Sequence, residues 1–463
     1  MNQFNLAEII QATRGRLLQG DGRVIVSGIA TDTRSIKPGE LFIALNGENF
    51  NGHHFVTAAA NAGAGAAVVM AEGDYPSDLT LVRVADTTAA LGDIARFHRK
   101  RFPIPLIGIT GSNGKTTTKD FIAAVLAQEK TIVKTEGNFN NEIGLPLTLL
   151  KIGADTEIAV VEMGMRGLGQ IARLAQIAFP DIGIITNVGL SHLEILGSQE
   201  NIARAKAELI EALPQGGLAI TNGDDPLVRK MKAGAGVKTV YYGIEAADLD
   251  CRADEIRPTN EGMEFTVSTK RGEISLRLPL PGRHNIYNAL AAVALAVELG
   301  ITTQSIRNGL AQPNLTGRRL KITKHQGFSI IDDTYNASPT SVMAALQVLS
   351  QSGPGRKIAV LADMLELGPD AATLHYQLGR YAGEHGVDQL FGFGELAREY
   401  VTAFNGIYAE RGEYFSDKAQ LIARLREFVQ PGDYVLVKGS RGMKMEEVVA
   451  DLSGEGTKAP CRG

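Results

Sequence analysis

Apolar residues recur along this chain in two alternating periods. Short, nearly unbroken apolar runs such as Leu106–Thr110 and Ile158–Glu162 are separated by stretches in which apolar positions return every three or four residues. Unbroken runs suit strands covered on both faces of a parallel sheet, and the longer period suits the helices that cover them. From residue 103 to 315 the pattern predicts strands at Leu106–Thr110, Ile132–Thr135, Ile158–Glu162, Ile182–Asn187, Leu218–Asn222 and Thr239–Gly243, with helices between them. Residues 253–280 change period: Met263, Phe265 and Val267, then Ile274, Leu276 and Leu278, alternate with other residues. That predicts an antiparallel flap or edge. A long apolar helix, Asn285–Leu299, closes the segment.

The flanking segments repeat the theme. Residues 1–102 begin with an amphipathic helix, then show strand-like pieces at Val24–Ile29, Leu41–Leu45 and Ala66–Met70 and helices near Phe55–Ala62 and Ala89–Lys100. Arg101–Pro105 is a stiff, turn-prone connection. Residues 316–463 give strands at Ser329–Asp332, Lys357–Ala362, Gln389–Phe393 and Tyr434–Lys438, and the last ten residues read as a frayed tail. The prediction is an α/β protein of three domains. These are a small α/β N-terminal domain (1–102), a central doubly wound parallel sheet of the P-loop ATPase kind (103–315) and a C-terminal Rossmann-like α/β domain (316–463).

Composition narrows the functions. A length of 463 residues allows two to four domains. The 47 basic and 51 acidic residues leave a net charge of −4, which supplies no general attraction to nucleic acid or to anionic membranes. Aromatic residues make up 6% and tryptophan is absent, so base-stacking platforms are not expected. Cys251 and Cys461 form neither a disulfide framework nor a four-thiolate zinc site. The longest apolar stretch, near Ala289–Val297, is too short to span a bilayer. A soluble, cytoplasmic protein without membrane insertion is expected. Glycine is in excess, 52 of 463 or about 11% against a usual ~7%.

Some of that glycine marks the strongest local signal. In Gly108-Ile109-Thr110-Gly111-Ser112-Asn113-Gly114-Lys115-Thr116-Thr117-Thr118 a strand runs into a glycine-containing turn, then Gly-Lys-Thr, then a helix. Glycines let backbone N–H groups reach phosphate oxygens, and the helix N-terminus favours an anion. Lys115 suits the β/γ-phosphates and the Thr116 hydroxyl suits Mg²⁺. The general pattern places its first glycine at position 109, which is Ile109. Glu162, at the end of a buried-type strand, is a second candidate for the metal, or else a strand-end carboxylate in an ion pair. A guanine switch is disfavoured, because Thr221-Asn222-Gly223-Asp224 lacks the lysine of the guanine reader. The turn Gly392-Phe393-Gly394-Glu395-Leu396-Ala397 imitates a dinucleotide fingerprint, but alone it reads as an ordinary strand-to-helix turn.

Further motifs follow in order, and with the phosphate loop they resemble the Mur ligases, ATP-dependent amide-bond-forming enzymes of bacterial cell-wall precursor synthesis. These are Gly137-Asn138-Phe139-Asn140-Asn141-Glu142, Asn187-Val188-Gly189-Leu190-Ser191-His192, Ala205-Lys206-Ala207-Glu208, Gly282-Arg283-His284-Asn285-Ile286-Tyr287-Asn288, Gly317-Arg318 and Asp332-Asp333-Thr334-Tyr335-Asn336. The resemblance covers nearly the whole chain and explains the displaced glycine. The Asn-rich third-segment motif, Val437–Glu446 and the lack of an Asp-Asn-Pro-Arg signature favour the branch that adds D-alanyl-D-alanine to a UDP-N-acetylmuramoyl-tripeptide.

The resemblance implies roles that the residues alone leave open. Read by itself, His192 is a surface histidine and Lys206 an ordinary helix-face lysine. The family casts His192 as a ligand of a second Mg²⁺, and Lys206 as a CO₂-derived carbamate whose oxygens suit a hard cation. The metal set is then Thr116, Glu162, His192 and Lys206. ATP would be held by Gly111, Ser112, Asn113, Gly114, Lys115, Thr116 and Thr117, by Asn285 and Asn288 at the adenine, by Asp333 at the ribose and by Arg318 at the γ-phosphate. Arg319 competes with Arg318 for that place. Lys115, Lys206, His192 and Arg318 are the catalytic candidates. Thr31, Asp32, Thr33 and Arg34 would bind the UDP-sugar, and Asn138, Asn140, Asn141, Asn336, Lys438 and Ser440 the rest of the substrates. A monomer is expected. A folylpolyglutamate synthetase would share the central segment but not the Thr-Asp-Thr-Arg domain, and a nucleotide switch would leave His192 and Lys206 idle.

Overall fold

The apolar runs of the central segment assemble into one nine-stranded sheet in a computed structural model, which describes residues 3–47, 50–259 and 261–454. Its order is Ile132–Lys134, Ile158–Glu162, Leu106–Thr110, Ile182–Ile185, Leu218–Asn222, Lys238–Gly243, Cys251–Thr259, Gly262–Thr269 and Gly272–Leu278. The first seven are parallel and the last two are joined on by antiparallel pairing, so the change of period after residue 253 does mark an antiparallel edge. The chain enters at Leu106–Thr110, jumps to the edge at Ile132–Lys134, fills in Ile158–Glu162 between the two, then crosses to build on the other side. The carboxyl end of Leu106–Thr110, between Ile158–Glu162 and Ile182–Ile185, is therefore the switch point where such sheets bind ligands.

Two helices fix the base of that point. Arg283–Glu298 is apolar on nearly every side, and Ala289, Ala291 and Ala296 are fully buried, as expected of a helix enclosed by protein. Helix Thr303–Ala311 presses on helix Lys115–Leu126 through Gly309, where a Cβ would lie 2.5 Å from the Val125 Cα.

The first segment carries a five-stranded sheet in the order Arg16–Gln19, Thr80–Arg83, Ala66–Val69, Leu41–Ile43 and Ile29–Ala30. The single strand predicted at Val24–Ile29 is divided. Ile25–Val26 pairs with Phe4–Asn5, while Ile29–Ala30 joins the main sheet. Between them the Ser27 N–H turns to the Gly39 carbonyl. Strands Arg16–Gln19 and Thr80–Arg83 were not legible, the first being a polar, half-exposed edge. Helix Thr87–Lys100 joins this unit to the central one. Buried Arg99 donates to the Ala178 carbonyl at 3.1 Å and pairs with Asp181 at 3.3 Å.

The third segment forms a six-stranded sheet in the order Lys321–His325, Phe328–Asp333, Tyr434–Lys438, Lys357–Ala362, Gln389–Phe393 and Gly412–Phe415, antiparallel only at Lys321–His325. Its two outer strands escaped prediction because they are short and partly exposed. The Gly392–Ala397 turn is filled from within: a Cβ on Gly394 would meet the Asp363 carboxyl at 2.5 Å, and that carboxyl accepts the Ala397 N–H. Of the tail predicted over the last ten residues, all but Gly454 lies outside the described residues, as does Cys461; Cys251 is a buried free thiol. Among the described residues no helix is long and apolar enough to cross a membrane.

Candidate active site

At the switch point the glycine turn sits so tightly that side chains are excluded. A Cβ on Gly111 would fall 1.8 Å from the Thr186 hydroxyl, and one on Gly114, where φ is 82°, would fall 2.3 Å from Asn288 Oδ1. The turn is braced from the neighbouring strand end. Ser112 N donates to the Asn187 carbonyl and Asn113 N to Asn187 Oδ1, both at 2.9 Å, while Thr186 Oγ1 donates to the Asn113 carbonyl at 2.6 Å. No side chain caps helix Lys115–Leu126, which leaves its first N–H groups for a ligand.

Lys115 folds back on the loop, donating to the Gly111 carbonyl at 2.8 Å. Loss of water lowers its pKa, opposed by the Glu162 charge and reinforced by Arg319. Glu162 ends its strand with both oxygens engaged: Thr116 Oγ1 donates to one at 2.6 Å and Asn140 Nδ2 to the other at 2.8 Å. The hydroxyl and the carboxylate thus converge, as two ligands of one cation must.

Lys206, on helix Gln199–Glu211, is 2% exposed, and among the described residues no carboxylate pairs with it. Burial, then the charge of Lys115, lowers its pKa well below 10.5. An amine so placed gives up its proton more readily than an exposed lysine does. His192 adopts a left-handed backbone, φ 65°, and its Nδ1 lies 2.7 Å from Glu366 Oε2 of the third segment. Among the described residues no three His, Cys, Asp or Glu side chains cluster as a ready metal cage. The donors available are instead a hydroxyl, one carboxylate, one imidazole and the buried lysine.

These groups open into one cavity of about 1330 Å³, lined from all three sheet units. That exceeds the ~300–1,000 Å³ of a usual small-molecule site and leaves room for several ligands. Asn138, Asn140, Asn141, Asn285, Asn288, Asp333, Asn336 and Lys438 all line it. Several of them are already partnered. Asn288 Oδ1 accepts from Thr118 Oγ1 at 3.2 Å and its Nδ2 donates to Asn285 Oδ1, while Asn285 Nδ2 donates to the Pro281 carbonyl. Neither asparagine caps its helix, since Gly282 occupies that place. Lys438 is buried, pairing with Asp333 at 2.5 Å and donating to the Asn336 carbonyl at 2.8 Å, so it holds the Asp332–Asn336 loop.

Three expectations are not met in this arrangement. Arg318 turns away from the cavity toward Asp332, at 3.6 Å, and the Glu446 carbonyl. Arg319 lines the cavity, its guanidinium 4.2 Å over the Tyr335 ring. Ser440 is buried outside the lining and accepts from the Leu365 N–H at 2.8 Å. Thr31, Asp32, Thr33 and Arg34 also lie outside it. Arg34 hydrogen-bonds Asp32 there and holds its carboxyl down at about 2. The first unit reaches the cavity through Asp86 and Thr88 instead, at the start of helix Thr87–Lys100.

Sequence reasoning missed Asp120 entirely. One turn beyond Thr116, it accepts from Thr316 N at 2.6 Å and Thr316 Oγ1 at 3.0 Å, with Lys119 and Lys134 beside it. It ties the connection to the third unit to the phosphate helix, just ahead of the two arginines. A polar residue on a helix gave no warning of this. With Arg319 facing Lys115, Arg319→Ala should lower kcat about a hundredfold, the loss typical of one charge-stabilising donor. Arg318→Ala should leave kcat close to wild type; ADP release measured for both variants decides which arginine acts.

The chain matches the Mur ligase middle domain over residues 109–296, the glutamate ligase domain of Mur ligases over 318–441 and the Mur ligase family catalytic domain over 25–99. It is 41% identical over 453 residues to the UDP-N-acetylmuramoyl-tripeptide–D-alanyl-D-alanine ligase of Bacillus subtilis, covering 97% of each chain. The crystal structure of MurF from Acinetobacter baumannii superposes with a TM-score of 0.91 at 33% identity, covering 98% of this chain and 99% of that one. MurF ligase from Thermotoga maritima in complex with ADP gives 0.82 at 29% identity, covering 93% and 98%.

Proposed function

The chain belongs to the Mur ligase family, and we propose that its cavity joins D-alanyl-D-alanine to a UDP-N-acetylmuramoyl-tripeptide with ATP, making a peptidoglycan precursor. The observation that carries this reading is the single cavity of about 1330 Å³ lined from three sheet units, one for each ligand to be brought together. Residues 1–102 hold the UDP-sugar, 103–315 bind ATP, and 316–463 bind the dipeptide and close on the nucleotide. No second copy is required, because one chain supplies every wall. The protein acts as a cytoplasmic monomer.

An unactivated carboxylate is a poor acyl donor. A terminal oxygen of the tripeptide attacks the γ-phosphorus, the bond to the bridging oxygen breaks, and ADP leaves. The acyl phosphate then takes the dipeptide amine at its carbonyl carbon; phosphate departs and the amine gives up a proton. Both steps join anions, so positioning and charge compensation supply most of the catalysis. The N–H groups from Gly111 to Thr117 cradle the phosphates. Lys115 exchanges the Gly111 carbonyl for phosphate oxygens, and Arg319 takes the place first assigned to Arg318. Asn138 and Asn141 stand beside the acyl centre, while Asn140 fixes Glu162.

Two Mg²⁺ would be held by Thr116, Glu162, His192 and a carbamate on Lys206, and when bound they would offset the charge of phosphate and carboxylate. The convergence of Thr116 on Glu162 at 2.6 Å fits such a site. A neutral Lys206 amine can add CO₂, forming an N–C bond and releasing a proton, which converts a would-be cation into an anionic oxygen donor.

The purified protein should release phosphate from ATP when UDP-N-acetylmuramoyl-tripeptide and D-alanyl-D-alanine are both present, and fall to background when either is omitted. Equal turnover without the dipeptide would overturn the ligase reading.

A further inference from the structure

His192 and Glu366 meet across two units. His192 follows the strand Ile182–Ile185 of the central sheet, and Glu366 follows Lys357–Ala362 of the third. Both residues hold left-handed backbones, φ 65° and 62°, although neither is glycine. Such conformations are strained for a residue with a Cβ and persist where the surroundings impose them. Here the surroundings do so. On the Glu366 side the preceding backbone is pinned twice: Met364 N donates to His375 Nε2 at 2.9 Å and Leu365 N to Ser440 Oγ at 2.8 Å. His375 itself is fully buried and tied to the Ala371 carbonyl. The loop then docks, with Glu194 N reaching the Glu366 carbonyl and Gly368 packed against Glu194.

The result is one directed contact, His192 Nδ1 to Glu366 Oε2 at 2.7 Å. A carboxylate only accepts, so this contact favours the Nδ1–H tautomer of the neutral ring, in which Nε2 keeps its lone pair. Metal-binding imidazoles are commonly oriented in this way by a carboxylate outside the ligand set.

We infer that Glu366 is the positioning residue for His192: it fixes the tautomer and ring orientation that expose Nε2 to Mg²⁺, and it does so only when the third domain is seated. This rests on the proposed role of His192 as a metal ligand. Because Glu366 arrives with the third domain, metal binding at His192 and seating of that domain favour one another, and the coupling is reciprocal. The buried Ser440 and His375 serve the same end by shaping the loop that delivers the carboxylate.

The test compares the full-length protein with Glu366→Ala, Glu366→Gln and His192→Ala. The readouts are the Mg²⁺ concentration for half-maximal turnover, the Mg²⁺-dependent tightening of a non-hydrolysable ATP analogue, and the nitrogen NMR signals of the His192 ring without metal. Glu366→Ala should raise the half-saturating Mg²⁺ about tenfold or more, the usual loss for a partner of a metal ligand. Its kcat at saturating Mg²⁺ should change far less, and its ring should shift toward the Nε2–H tautomer. Glu366→Gln, which keeps an accepting oxygen, should fall between Glu366→Ala and wild type. Wild-type Mg²⁺ dependence and tautomer in Glu366→Ala overturn the inference. Wild-type Mg²⁺ dependence in His192→Ala overturns instead the ligand role on which it rests.

Discussion

Lys206→Ala should lower ligase turnover about a thousandfold, the equivalent of ~4 kcal/mol of lost charge stabilisation, without unfolding the protein. The side chain is 2% exposed and has no carboxylate partner among the described residues, so its amine contributes little to the fold. Burial and Lys115 lower its pKa. Between that lowered value and the ordinary 10.5, the unfolded chain binds a proton that the folded chain does not, so stability rises with pH across the window. The unmodified amine therefore opposes folding at neutral pH. Lys206→Met, which keeps the bulk, should melt at or above wild type in bicarbonate-free buffer, with a flatter pH dependence. Formate or acetate should restore part of the activity of Lys206→Ala by supplying the missing oxygens. A carbon-13 carbamate signal from labelled bicarbonate should appear in the wild type and vanish in both variants. An active alanine variant would remove the carbamate from the mechanism.

Legibility in the sequence followed burial for most strands, with the buried Thr80–Arg83 an exception. Strands enclosed on both faces, such as Leu106–Thr110 and Lys357–Ala362, carry unbroken apolar runs and were read nearly to the residue. Edge strands such as Arg16–Gln19, Lys321–His325 and Gly412–Phe415 mix polar residues and looked like loop. Within the site, the residues named from one local motif lie together in the cavity: Lys115 and Thr116 follow the glycine turn, and Glu162 ends its strand beside them. Residues that act across units were not legible in this way. Asp120 accepting from Thr316, Glu366 meeting His192 and the placing of Arg319 rather than Arg318 on the cavity wall depend on contacts between positions far apart in sequence. Lys438 lines the cavity while bound to Asp333, and Ser440 lies outside the lining, because a motif reports that a side chain matters without reporting which way it faces.

Glu162→Gln should be nearly as damaging as the lysine change, about a thousandfold in kcat, and its pH profile separates a functional from a purely structural role. The amide keeps the size of the carboxylate and can still accept from Thr116 or Asn140, so the strand end should remain intact. What disappears is the negative charge. Loss of water already lowers the pKa of Lys115, and Glu162 is the group that opposes that fall, with Arg319 pressing it further down. Removing the carboxylate must therefore lower the Lys115 pKa again, and the phosphate-binding ammonium is lost at a lower pH than in the wild type. The alkaline limb of kcat/KM for ATP should accordingly move to lower pH. Glu157→Gln is the control: that glutamate pairs with Lys130 on the surface, and its substitution should leave the limb in place. If Glu162 served only to accept two hydrogen bonds, Glu162→Gln would lower the melting temperature and leave the limb unmoved. A shifted limb on an intact fold identifies it as the charge that keeps Lys115 ready for phosphate.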